Sequence, residues 1–127
     1  MEPVAVAAAC LLGLLVVFQL ALAIGAPWGA AAYGGGYPEV LPLGLRINSL
    51  VFGLILYPAA MLYVLDAGGV FDTDWLPGSR SVVMWVLVVF FGLGTIANFA
   101  SRSRIERLWG PVSLALAVGC GMIATSL

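Results

Sequence analysis

Histidine and lysine are both missing from this 127-residue chain, and only 9% of its residues are charged. Without histidine it lacks the usual proton shuttle near neutral pH and the commonest metal ligand. All five basic residues are arginines, and they form no basic stripe, so no nucleic acid is expected as a partner. Cysteine is scarce: Cys10 and Cys120 stand alone, with neither a CxxC redox pair nor metal-ligand spacing, and read as small packing residues. Ser49, Ser101, Ser103 and Ser113 have no histidine to activate them, which argues against a serine hydrolase. Gly34-Gly35-Gly36 lacks the following lysine and the strand–loop–helix setting of a phosphate cradle. Asp66, Asp72 and Asp74 lack the alternate spacing, central glycine and distal glutamate of a calcium loop, and read as a solvated turn. No catalytic residue, metal or cofactor is expected.

What the chain has is apolar matter: 63% hydrophobic residues and a mean hydropathy of +1.13. A soluble domain carries about 25% charge, and a short chain buries the smallest fraction of its surface. The sequence therefore predicts an integral membrane protein. It is all-α, a bundle of four transmembrane helices at about 4–24, 47–65, 81–100 and 109–126, in one domain over 1–127. The first apolar run rises about 31 Å at 1.5 Å per residue, matching the ~30 Å hydrocarbon core of a bilayer. Glu2 and Pro3, in place of lysine or arginine, set it apart from a cleaved signal peptide. Pro58 interrupts the second span, Ser81 is the expected N-cap of the third, and Pro111 lies in the first turn of the fourth. Ala5/Ala9/Gly13 and Ala117/Gly121/Thr125 form small-residue stripes suited to close helix contact. If the first and fourth helices meet through those stripes, Cys10 and Cys120 come close.

The chain is organised around residues 25–49. Glycines 34–36 with Pro38 and Pro42 forbid a continuous helix there, while Trp28, Tyr33, Tyr37, Glu39, Arg46 and Asn48 make it more than a linker. It is expected to fold back on the helix ends. Connectors one and three lie on one side and hold Arg46, Arg102, Arg104 and Arg107; the other side holds Arg80. The positive-inside rule then puts these connectors in the cytoplasm and both termini outside.

Gly25-Ala26-Pro27-Trp28-Gly29, Gly34-Gly35, Leu41-Pro42, Leu45-Arg46-Ile47-Asn48-Ser49 and the stretches 98–103 and 106–111 resemble a family of small bacterial four-helix membrane proteins. The resemblance implies the fold and a bacterial membrane location, and it brings no activity with it.

With that topology, polar side chains of all four spans fall at one depth, in the cytoplasmic half: Gln19, Arg46, Asn48, Ser49, Thr95, Asn98, Trp109 and Ser113. Polar groups in hydrocarbon need partners or water. A cytoplasm-facing polar pocket is therefore expected between the helices, capped by the first connector through Trp28, Tyr33 and Tyr37. Its candidate residues are Gln19, Trp28, Tyr33, Glu39, Arg46, Asn48, Asn98, Glu106 and Trp109. Arg46 is expected to pair with Glu39 or Glu106, or to hold an anionic headgroup or solute. The plainer alternative is that these groups only hydrogen-bond to one another, at about 0.6–2 kcal/mol per contact.

Three functions are compatible with this pattern. The first is a non-enzymatic accessory or lipid- or small-molecule-binding bundle, with membrane lipid, a second copy or a larger membrane protein as partner. The second is an oligomeric carrier or channel for a neutral or anionic solute. The third, an enzyme acting on a lipid-soluble substrate, is weakest because no general base lies inside the spans. The same absence of carboxylates argues against proton-coupled exchange.

Overall fold

The computed structural model describes residues 1–72 and 74–127. Among them it is all-helical, with no strand, and four helices are long and apolar enough to cross a membrane. We number these α1 (Glu2–Ala23), α2 (Leu43–Ala67), α3 (Arg80–Phe99) and α4 (Arg104–Ser126).

α1 runs 22 residues without interruption and ends at Ile24 and Gly25, the glycine at φ 102°. α2 starts four residues earlier than expected, at Leu43 directly after Pro42. Pro58 does not break it. The turn before the proline widens over Phe52–Leu56, where the N–H of Tyr57 bonds the carbonyl of Phe52. Such a π-type turn absorbs the hydrogen bond that proline cannot make and lets the helix continue.

α3 is capped by Ser79 rather than Ser81: the Ser79 hydroxyl accepts the N–H of Val82 at 3.3 Å. α4 opens with a short turn, Arg104–Arg107, capped by Ser103, whose hydroxyl accepts the Glu106 N–H at 3.3 Å.

Leu12, Val64, Met84, Leu116, Cys120 and Ile123 are fully buried and close the end of the bundle that holds the two termini. α1 packs on both α2 and α4, and α3 lies along α4. The contact surfaces differ from those expected. A Cβ built on Gly68 of the α2–α3 connector would overlap Ala5, and one on Gly13 would reach Met61, so the Ala5/Ala9/Gly13 stripe faces the second helix. α4 meets α1 through Gly119, against Val4 and Ala8, while Gly121 faces Val88 of α3. Cys120 is buried and Cys10 is exposed, which removes the basis for a contact between them.

At the same end Arg80 Nε bonds Asp66 Oδ2 at 2.5 Å, with the Asp66 side chain fully buried. This aspartate therefore belongs to the end of α2 rather than to a solvated turn. The outer surface of the bundle is apolar, as at Val17, Leu54, Ile55, Val86, Val89, Leu93 and Ile96.

Candidate functional site

The first connector does fold back on the helix ends. It turns through two short 3-10 segments, Gly29–Ala31 and Tyr33–Gly35. The Gly29 N–H bonds the Glu39 carbonyl at 2.9 Å, closing it into a loop. Leu22, Ala32 and Leu41 form a small second core with Phe18, Tyr33 and Leu45, anchoring the loop to α1 and α2.

Two bonds fasten it to the third connector. The Ser103 hydroxyl donates to the carbonyl of Ala30, and the Gly34 N–H donates to Glu106 Oε2 at 2.8 Å. The glycines are required at this latch. Gly34 and Gly35 both have φ 74°, and a Cβ on Gly35 would stand 2.6 Å from that of Ser103.

Beneath the loop lies a cavity of about 220 Å³ bounded by all four helices. Its polar lining comprises Gln19 of α1, Tyr33 of the loop, Asn48 of α2, Asn98 of α3, and Glu106 and Ser113 of α4. Deeper in the bundle it is aromatic. Phe52, Tyr57, Phe91 and Phe90 touch in a closed circuit, with ring centroids 5.1–6.4 Å apart. Phe18 and Trp109 pair at 4.7 Å, and all six rings line the cavity.

The polar groups are partly tied to one another. Asn48 Nδ2 donates to the Tyr33 hydroxyl at 2.8 Å, the Tyr33 and Ser49 hydroxyls lie 3.0 Å apart, and Asn98 Nδ2 donates to Ser113 Oγ at 2.9 Å. Gln19 is the exception: its Oε1 is buried with no hydrogen-bond partner among the described residues. A buried unpaired acceptor costs about 1–3 kcal/mol. Glu106 is 8% exposed and, among the described residues, forms no ion pair.

Of the nine candidates read from the sequence, Gln19, Tyr33, Asn48, Asn98, Glu106 and Trp109 line this cavity. Three do not. Trp28 is half-exposed and lines an adjoining surface groove with Pro27, Pro38, Ile105 and Leu108. Glu39 is exposed. Arg46 donates from Nε to the carbonyl of Ala23 at 3.1 Å and packs beside Gly25. It pairs with neither Glu39 nor Glu106, because the early start of α2 sets it against the C-terminus of α1, where free carbonyls attract a cation. The roof of the cavity is Ala31, Ala32 and Tyr33, rather than Trp28 and Tyr37.

The aromatic wall was read in the sequence only as apolar helix. Its signal was present in the spacing: Phe52, four residues after Asn48, and Phe90 and Phe91, both about two turns before Asn98, share faces with the polar candidates.

No family model, curated protein or solved structure matches the chain.

Proposed function

We propose that the chain is a non-enzymatic membrane protein that binds a small molecule or lipid headgroup in the cavity under its first connector. The observation that carries this is the convergence of polar side chains from four helices and a loop on one aromatic-walled space. Polar groups of a bundle that served only packing would satisfy one another, and Gln19 Oε1 is left without a partner. A concave, largely apolar site with a few converging polar groups is the usual form of a ligand pocket.

The surrounding reading is of the same kind. The four apolar helices insert in a cell membrane, bacterial by the resemblance in the first connector. The arginines of connectors one and three hold the cavity at the cytoplasmic face, with both termini outside. A second copy or a larger membrane protein is the natural partner for so slender a bundle.

A carrier is the second reading, favoured by the π-type turn at Phe52–Leu56, which lies in the cavity wall next to Pro58. Such turns mark places where a helix can re-register. Transport would need this point to move, because the buried core around Leu12, Val64 and Leu116 closes the far side.

Native mass spectrometry of the chain released from its own membrane tests the binding reading. A Cβ on Gly94 would make ordinary contact with Ser113 Oγ at 3.7 Å, and Gly94 lines the cavity, so Gly94→Leu fills it with little disturbance of the backbone. Wild type should carry an adduct that Gly94→Leu lacks while eluting identically. Equal adducts, or none on wild type, would refute the reading.

A further inference from the structure

We propose that the ligand of this cavity is a small organic ammonium ion bearing N–H donors, either a free amine or the ammonium of a lipid headgroup. The inference rests on the binding reading above and names its chemical class.

Charge is the first argument. Among the described residues Glu106 is the one carboxylate in the lining, it is buried, and the Gly34 N–H donates to its Oε2. The chain has no lysine or histidine. Among the described residues no arginine lines the cavity: Arg46 is bonded to Ala23, and Arg102, Arg104 and Arg107 are exposed. A buried carboxylate demands a cation or strong donors, and an anionic ligand would meet like charge.

Hydrogen-bonding capacity points the same way. Asn48 and Asn98 each spend one amide N–H, on Tyr33 and Ser113, while their amide oxygens remain free to accept from an incoming donor. Gln19 Oε1 lacks a donor, and the soft terminal torsion of its amide lets that oxygen turn to an incoming N–H.

The aromatic circuit of Phe52, Tyr57, Phe90 and Phe91, faced by Phe18 and Trp109, supplies the ring surfaces that attract a desolvated cation. Size sets the limit. At about 220 Å³ the space falls below the ~300–1,000 Å³ of drug-sized sites, so it suits a headgroup or small amine rather than an acyl chain.

Three water-soluble probes of one size separate the possibilities by calorimetry in dodecyl maltoside: ethanolamine, a cation at neutral pH; ethylene glycol, neutral; and glycolate, an anion. Ethanolamine should bind saturably and at least tenfold tighter than ethylene glycol, with glycolate weaker still. Glu106→Gln keeps an acceptor for the Gly34 N–H and removes the charge, so it should abolish the preference for ethanolamine. Competition by added phosphatidylethanolamine, and not by phosphatidylglycerol, would identify a lipid as the source; no competition by either would identify a free amine. Equal or tighter binding of ethylene glycol or glycolate to wild type overturns the proposal, whatever the fate of the variant. So does the absence of binding by all three probes. If the Gly94-sensitive adduct persists in that case, the cavity remains a ligand site of another class; if it is missing as well, both readings fall.

Discussion

Three consecutive glycines at the latch allow its geometry to be tested one Cβ at a time. Gly36 has an ordinary helical φ of −69° and no atom within 4 Å of a built Cβ. Gly36→Ala should therefore be neutral or slightly stabilising, by up to about 1 kcal/mol, through a stiffer unfolded chain. Gly34 has φ 74° and the same open surroundings, so Gly34→Ala carries only the left-handed cost of about 1–2 kcal/mol. Gly35 shares that φ, but its Cβ would collide with Ser103. Relieving the clash pulls the loop from the third connector and weakens the Ser103–Ala30 and Gly34–Glu106 bonds. At about 0.5–1.5 kcal/mol for a neutral bond and somewhat more for one to a carboxylate, Gly35→Ala should cost about 3 kcal/mol in all. The cost is local, so hydrogen–deuterium exchange over residues 29–37 in detergent reads it most cleanly. Protection should fall in the order Gly36→Ala, Gly34→Ala, Gly35→Ala, with exchange in the cores of α1 and α4 unchanged. Equal effects at all three positions, or a silent Gly35→Ala, would refute the latch.

Two further outcomes follow from the packing and the charge distribution. A Cβ on Gly119 would lie 3.9 Å from that of Ala8, within the range a disulfide spans; Ala8→Cys with Gly119→Cys, in a chain cleared of Cys10 and Cys120, should crosslink on mild oxidation, whereas the native pair should not. Alkaline phosphatase fused after Leu127 should be active and a fluorescent protein there dark, and the reverse would move the cavity to the other face of the membrane.

Much of the fold was legible because hydropathy alone forces it. The four spans lie within a few residues of where the apolar runs put them, with α1 at Glu2–Ala23 and α3 at Arg80–Phe99. The misplacements have local causes. The early start of α2 was hidden because Pro42, Gly44 and Arg46 read as connector, while Pro42 stands just before the first turn, where its missing N–H costs nothing. Ser79 and Ser81 are equally good caps in composition, and only the path of the second connector separates them. Helix faces were harder. Small-residue stripes say that a close contact exists but not with which neighbour, so Ala5 and Gly13 were set against the wrong partner.

At the site, depth along each helix brought Gln19, Asn48, Asn98 and Trp109 to one level, because topology and rise per residue fix depth; Glu106 was placed only on the same side, in the third connector. Pairing was beyond reach. Whether Arg46 turns to a carboxylate or to the end of α1 depends on a rotation that a four-residue shift in the start of α2 decides. That Glu106 belongs in the cavity wall without an arginine changes the expected ligand from an anion to a cation.

The most direct measurement is an experimental structure of the chain in nanodiscs of its native lipids. The account predicts density between Gln19, Asn98 and Glu106, with the Gln19 amide oxygen bonded to it and Arg46 still on the Ala23 carbonyl. A collapsed space in which Gln19 bonds directly to Asn48 or Asn98, or in which these side chains lie on separate faces of the bundle, would contradict it.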